Sequence, residues 1–190
     1  MEYRAYYNSN REVWQQLKEG NIQAMGELFS RNHSLLVAYG LKVIPVREIV
    51  LDSIQDIFLN IWNSRENLAD VCNVVSYLFR ALRNELLRRI RQEARFAPIN
   101  ESRITECPEL TFSYEDIILQ KDITREIHEF LMQALNKLSP RQKEVVYLKF
   151  YFGFNNLEIA EIMDLQDQTV RNTLHDAIKL LRQITTISVS

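Results

Sequence analysis

Residues 138–182, LSPRQKEVVYLKFYFGFNNLEIAEIMDLQDQTVRNTLHDAIKLLR, decide the fold. Leu157, Ile159, Ala160 and Ile162 predict a short helix, and the break Asp164-Leu165-Gln166-Asp167 ends it. Val170, Leu174, Ala177, Ile178 and Leu181 then recur with helical period and predict a longer second helix. Two helices that cross steeply need a small residue at the crossing and an apolar plug in the turn, places that suit Ala160 and Leu165. Such a helix-turn-helix lays the exposed face of its second helix in a DNA major groove. The candidates on that face are Gln168, Thr169, Arg171, Asn172 and His175. Gln and Asn side chains pair bidentately with adenine, and Arg with guanine.

Working outward, Ser139-Pro140-Arg141-Gln142 is a compact helix start: Ser139 caps, Pro140 takes the first helical position and Gln142 completes a capping box. Ahead of it Ile123, Ile127, Phe130, Leu131, Ala134, Leu135 and Leu138 stripe one more helix. At the other end of the chain, Arg11 to Lys18 and Ile22 to Val43 predict two helices parted by Gly20-Asn21. Pro45 is expected to stop the second of these and to suit the first turn of the next helix. In that helix Ile54, Ile57, Phe58, Ile61 and Trp62 share one apolar face, while Gln55, Asp56 and Leu59 face the other way. Asn63 to Asp70 is expected to be a loop. A fourth helix, Val74 to Ala94, is expected to bury Tyr77, Leu78, Ala81, Leu82 and Leu86 and to turn Arg80, Arg83, Arg88 and Arg91 outward. FAPINESRITECPELTF, residues 96–112, holds two prolines and no sustained period, so it reads as a linker. The expected fold is all-α: a helical domain over residues 1–95, an acidic linker over 96–122, and a domain with a helix-turn-helix over 123–190.

Composition supports this and excludes several functions. The 190 residues include only 4 Gly and 4 Pro, so the chain has little turn chemistry, and 46% hydrophobic with 25% charged residues is ordinary for a soluble globular protein. No apolar run approaches the roughly 18 residues of a membrane span. The start, MEYRAYYNSNREVW, lacks the blocks of a secretory signal. The chain is therefore expected in the cytoplasm, with no insertion into a membrane and with Cys72 and Cys107 as reduced thiols. His33, His128 and His175 lie apart with no metal-ligand spacing, and no phosphate loop or nucleophile elbow is present. Asp52 and Asp56, one turn apart, read as a solvated helix face. No catalytic residue, metal or cofactor is expected, and the chain does not read as an enzyme.

Net charge is −2, which argues against a free-standing, avid DNA binder. Its distribution says more. From Ser76 to Arg95 six Arg stand against Glu85 and Glu93, and from Phe96 to Asp122 Arg103 and Lys121 stand against six carboxylates. A basic helix thus precedes an acidic connector. Tyr77 and Phe79 lie among the arginines, and cations with stacking surfaces are what single-stranded DNA requires. An exposed Leu59 between polar residues suits docking against another protein's helix.

Together the segments DSIQDIFLNIW (52–62), YLFRALRNELLRRIR (77–91) and the helix-turn-helix stretch resemble, in order and over roughly Arg11 to Arg182, the extracytoplasmic-function (ECF) sigma factors of the bacterial sigma-70 family. The resemblance implies a subunit that directs core RNA polymerase to promoter DNA and assists melting. Gln55, Asp56, Leu59 and Trp62 would dock on the polymerase clamp. Arg80, Arg83, Asn84, Arg88 and Arg91 would hold the non-template strand of the minus-ten element, and the Asn63 to Asn73 loop would receive a flipped base. Gln168, Thr169, Arg171, Asn172 and His175 would read the minus-thirty-five element. Glu101, Glu106 and Glu109 of the tether could mimic RNA in the exit path, and an anti-sigma factor is an expected partner.

The chain departs from the family where Gly is usual at the bend (here Asp164) and where Ser often caps the recognition helix (here Gln166, with Asp167 as a substitute cap). It departs again where Thr173, Asp176 and Ile178 stand at frequently basic places. Two rival readings follow: a sigma-fold module that binds protein without productive promoter reading, and a conventional helix-turn-helix regulator.

Overall fold

A computed structural model describes the backbone over residues 2–96, 108, 110 and 132–187, and side chains over 10–92, 108, 110 and 132–183. Among the described residues every regular element is helical, and they divide into two units. The first is built of α1 (Glu2–Lys18), α2 (Ile22–Val43), α3 (Arg47–Asn63), a 3₁₀ turn (Arg65–Asn67) and α4 (Val74–Phe96). The second holds helical residues 132–136, α5 (Pro140–Phe150), most of α6 (Asn156–Met163) and α7 (Asp167–Ile187). No described helix is long and apolar enough to cross a membrane.

Local chemistry fixes the helix ends. Gly20, at φ +88°, closes α1: its N–H donates to the Leu17 carbonyl (2.9 Å) and that of Asn21 to the Gln16 carbonyl (3.0 Å). A residue with Cβ resists that left-handed bend, and glycine does not. Asn21 then caps α2, its Oδ1 accepting from Gln23 N (2.9 Å) and Ala24 N (3.3 Å). The predicted start at Arg11 was late, because α1 begins at Glu2. Pro45 is not in the first turn of α3: Val46 occupies the cap position and the helix starts at Arg47. The expected loop after α3 contains the 3₁₀ turn.

In the first unit α2 packs on α1, α3 and α4, and α4 also packs on α3 and α1. Trp14, Leu17, Leu28, Leu36, Tyr39, Ile54, Leu78, Phe79, Leu82 and Leu86 are almost wholly buried. The predicted core residues Ile54, Ile57, Phe58 and Ile61 are buried, whereas Tyr77, Ala81 and Trp62 are half-buried. Buried Asn32 sits in an apolar row of α2, satisfying Nδ2 on the Leu28 carbonyl (2.8 Å).

In the second unit the Ser139 capping box is present in both directions, Gln142 N to Ser139 Oγ at 3.3 Å and Ser139 N to Gln142 Oε1 at 3.0 Å. The α5–α6 connection turns at Gly153 (φ +74°) and is filled by stacked Tyr147 and Tyr151 with Phe152 and Phe154 edge-on or tilted. Sequence reading had given these aromatics no role. Ala134, Leu135 and Leu138 are buried as expected; Ile123, Ile127, Phe130 and Leu131 lie outside the described residues.

One contact is close enough to test. A Cβ added at buried Gly40 on α2 would lie 2.5 Å from Val50 Cγ1 on α3, and Val50 is fully buried and stiff at χ1. Gly40→Ala should destabilise the unit by about 1–3 kcal/mol despite alanine's better helix propensity. Adding Val50→Ala should relieve the clash while leaving a smaller deficit. Urea unfolding midpoints of the two variants check this; an unchanged midpoint for Gly40→Ala would contradict the packing.

Candidate nucleic-acid interface

The helix-turn-helix begins with a second capping box. Asn155 Oδ1 accepts from Glu158 N (3.0 Å), and Glu158 Oε2 accepts from Asn155 N (2.7 Å). Ile159, Ala160, Ile162 and Met163 of α6 are buried, while Leu157 is 67% exposed. Asp164 ends α6 at φ +55°, ψ +49°, the left-handed conformation expected for it, and Leu165 N–H donates back to the Ala160 carbonyl (2.8 Å). Asp is among the few non-glycine residues that enter this region readily. Leu165 is half-buried in the turn.

Helix α7 buries Val170, Leu174 and Ala177. Gln168, Arg171, Asn172 and His175 therefore emerge together on the opposite face, spaced i, i+3, i+4 and i+7, and all are exposed. Thr169 is half-buried beside them. Two i, i+4 bonds pre-arrange the face: Gln168 Nε2 to Asn172 Oδ1 (2.9 Å) and Arg171 Nε to Asp167 Oδ2 (2.7 Å). Asp167 does not cap the helix as expected. It lies within the first turn and holds Arg171, while the Gln166 carbonyl receives the first helical N–H groups, from Thr169 and Val170. Its other oxygen is buried without a partner.

On α4 the structure separates the predicted arginines. Asn84, Arg88 and Arg91 are exposed and Arg80 is half-buried. Arg83 is buried, at 5% exposure, and corrects the outward placement. The cause is its row: Phe79, Arg83 and Leu87 follow at i, i+4 and i+8, and both apolar neighbours are buried. Phe79 is itself completely buried against Tyr39 (5.1 Å between centroids), so it offers no stacking face. Tyr77 is half-buried with its ring edge-on to Trp14 at 5.3 Å.

Two residues outside the predicted site, Glu85 and Arg89, organise this surface. Glu85 accepts Arg88 through both oxygens (2.6 and 2.8 Å) and Arg89 Nε at 2.8 Å. Arg89 continues to Asp56 on α3, Nη2 to Oδ2 at 2.7 Å. The i+3 and i+4 spacing from Glu85 was legible as a helical ion pair; the link to α3 was not. Gln55, Asp56 and Leu59 are exposed as expected, Leu59 at 58%. Gln55, Leu59 and Trp62 share a row, and the Arg65 guanidinium lies 4.8 Å from the centre of the Trp62 ring. In the following loop Asn73 is committed to structure, its Oδ1 capping Val75 N (2.9 Å) and Ser76 N (3.2 Å). The acidic tether residues Glu101, Glu106 and Glu109, with Cys107 and His128, lie outside the described residues.

The comparisons agree with this architecture. Sigma-70 region 2 matches residues 28–96, and sigma-70 region 4 matches residues 129–181. The chain is 24% identical over 159 residues to the ECF RNA polymerase sigma factor SigL of Mycobacterium tuberculosis, covering 83% of this chain and 86% of the relative. It is 22% identical over 171 residues to SigK of a Mycobacterium species, covering 88% and 86%. In fold it is similar to CnrH in its complex with the cytosolic domain of CnrY (TM-score 0.59, 22% identity, 94% of this chain and 97% of that one). It is likewise similar to the sigma factor RpoE bound to the anti-sigma factor NepR from Bartonella quintana (TM-score 0.59, 20% identity, 85% and 96%).

The Arg88 and Arg89 guanidiniums hold the Glu85 carboxyl below its ordinary value of 4.5, chiefly through the Arg88 hydrogen bonds and against the opposing effect of burial. A depressed folded-state pKa adds stability that is present above 4.5 and lost as pH falls through the lower folded value. Glu85→Gln should therefore lower the unfolding midpoint at pH 7, and the gap to wild type should close as pH falls below 4.5. A gap that stays constant through that window would show that the carboxylate charge contributes nothing.

Proposed function

The chain belongs to the sigma-70 family, in its ECF branch, and on that premise we propose how its residues divide the work of a sigma factor between polymerase and promoter. It is an RNA polymerase sigma factor, and the observation that carries this is the succession of region 2 and region 4 on one chain in family order. A conventional regulator does not account for both regions.

In the proposed division, the first domain ends near residue 95, the second begins near 123, and 96–122 tethers them. Gln55, Asp56, Leu59 and Trp62 on α3 dock against core polymerase, with Leu59 the apolar anchor. Asn84, Arg88 and Arg91 on α4 hold the non-template strand of the minus-ten element, with Arg80 at their margin. Arg83 is withdrawn from that set because it is buried. Gln168, Arg171, Asn172 and His175 on α7 read the minus-thirty-five element, with Thr169 beside them. CnrH and RpoE were each captured with a bound partner, and an anti-sigma protein is proposed as the inhibitory partner of this chain as well.

The energetics fit a subunit better than a lone DNA binder. A net charge of −2 gives little general attraction to DNA. Two weak modules tethered on one enzyme gain roughly 10²–10⁴-fold through effective concentration. About four phosphate-contacting cations would give a log-log salt slope of roughly −3 to −4.

Purified chain mixed with bacterial core polymerase should co-migrate with it and support transcription from genomic fragments selected by the mixture. A chain that fails to co-migrate at low salt, or binds duplex tightly without polymerase, overturns the reading. Arg88→Ala with Arg91→Ala should cut open-complex formation on those fragments by roughly tenfold or more, as loss of two charge-assisted phosphate contacts requires. Polymerase affinity should be unchanged. Permanganate reactivity of unpaired thymines reads the first quantity, and undiminished reactivity refutes the α4 assignment.

A further inference from the structure

The region 2 match begins at residue 28, so α1 lies outside it, yet α1 grips the loop that follows α3. Lys18 Nζ lies 2.5 Å from Asp70 Oδ1, and Gln15 Nε2 donates to the same oxygen at 3.0 Å. One turn back, the indole N–H of almost wholly buried Trp14 points at the Ala69 carbonyl at 3.4 Å. The loop's other anchors are local: Arg65 on Trp62 at its start and the Asn73 cap at its end. Among the described side-chain hydrogen bonds, those that reach residues 69 and 70 come from α1. Lys18 and Gln15 also hold Asp70 below its ordinary carboxylate range.

We propose that Gln15 and Lys18 are positioning residues for promoter opening: through Asp70 they fix the 68–73 loop in the form that receives the displaced strand. The inference rests on the reading of this unit as the minus-ten module. A loop already held in its bound shape does not pay an ordering cost when a nucleotide arrives. Pairing with Lys18 also offsets the charge of a carboxylate that would repel phosphate. The latch acts on DNA through Asp70 and the loop, not by touching DNA.

The test uses the full chain assembled with core polymerase on a genomic promoter fragment recovered by that holoenzyme. It compares Lys18→Met, Asp70→Ala, their combination and Lys18→Arg, with Arg88→Ala/Arg91→Ala as control. Lys18→Met and Asp70→Ala should each lower the open-complex rate about twofold to fivefold, the scale of an exposed ion pair. The double variant should be no worse than either single one, Lys18→Arg should restore opening, and polymerase affinity should hold. If Asp70→Ala speeds opening while Lys18→Met slows it, Lys18 is a direct phosphate contact and the latch is refuted. If polymerase affinity falls in step with opening, the role is merely structural and the proposal fails. If neither single variant changes opening while the arginine control does, the latch is wrong and the α4 reading stands. If the control is also silent, both are wrong.

Discussion

The first unit depends on one helix meeting two demands at once. Along α4 the residues Leu78, Phe79, Leu82, Arg83, Leu86 and Leu87 are buried, covering about half of its circumference, so the outward strip is narrow. Asn84, Arg88 and Arg91 fall on that strip, whereas Arg83 does not. A helix buried this widely, by α1, α2 and α3 together, has little freedom to rotate, because any turn would bring a guanidinium into the core or an apolar side chain into water. The register of the cationic face is therefore set by core packing.

Ion pairs then set the detail. Glu85 gathers Arg88 and Arg89, and Arg89 reaches Asp56 on α3, so the face assigned to polymerase and the face assigned to DNA share a charged network. Exposed pairs of this kind contribute little to stability individually. Their larger effect is geometric, since they choose one rotamer among many for long flexible side chains. The same device recurs on α7, where Asp167 holds Arg171 and Gln168 holds Asn172. Such bonds must be exchanged when phosphate or base edges arrive, which tempers affinity while favouring a defined geometry.

The bends are decided by single residues. Gly20 permits the reversal from α1 to α2, Gly153 that from α5 toward α6, and Asp164 the helix-turn-helix itself. Asp164 is the only described non-glycine residue at positive φ, and it occupies the position that aims α7. Backbone strain is thereby confined to one exposed position flanked by a capping box and a buried helix face.

Among the described residues, the helical type of the elements, the Ser139 capping box, the left-handed bend and the 168–175 face were all legible in the sequence. Each follows from neighbours within one or two turns, where period and cap chemistry suffice. The family resemblance, drawn from three ordered segments, named the fold and function that the region 2 and region 4 matches establish. The side chains of α4 that sequence misplaced share one origin: Arg83 and Phe79 each depend on how wide a helix's buried arc is, and that width is set by how many partners surround it. The anchoring of Asp70 by Lys18, 52 residues away, and of Asp56 by Arg89, 33 residues away, likewise joins segments with no shared local pattern. Periodicity gives the direction in which a side chain leaves its own helix; only the packed structure determines what it meets there.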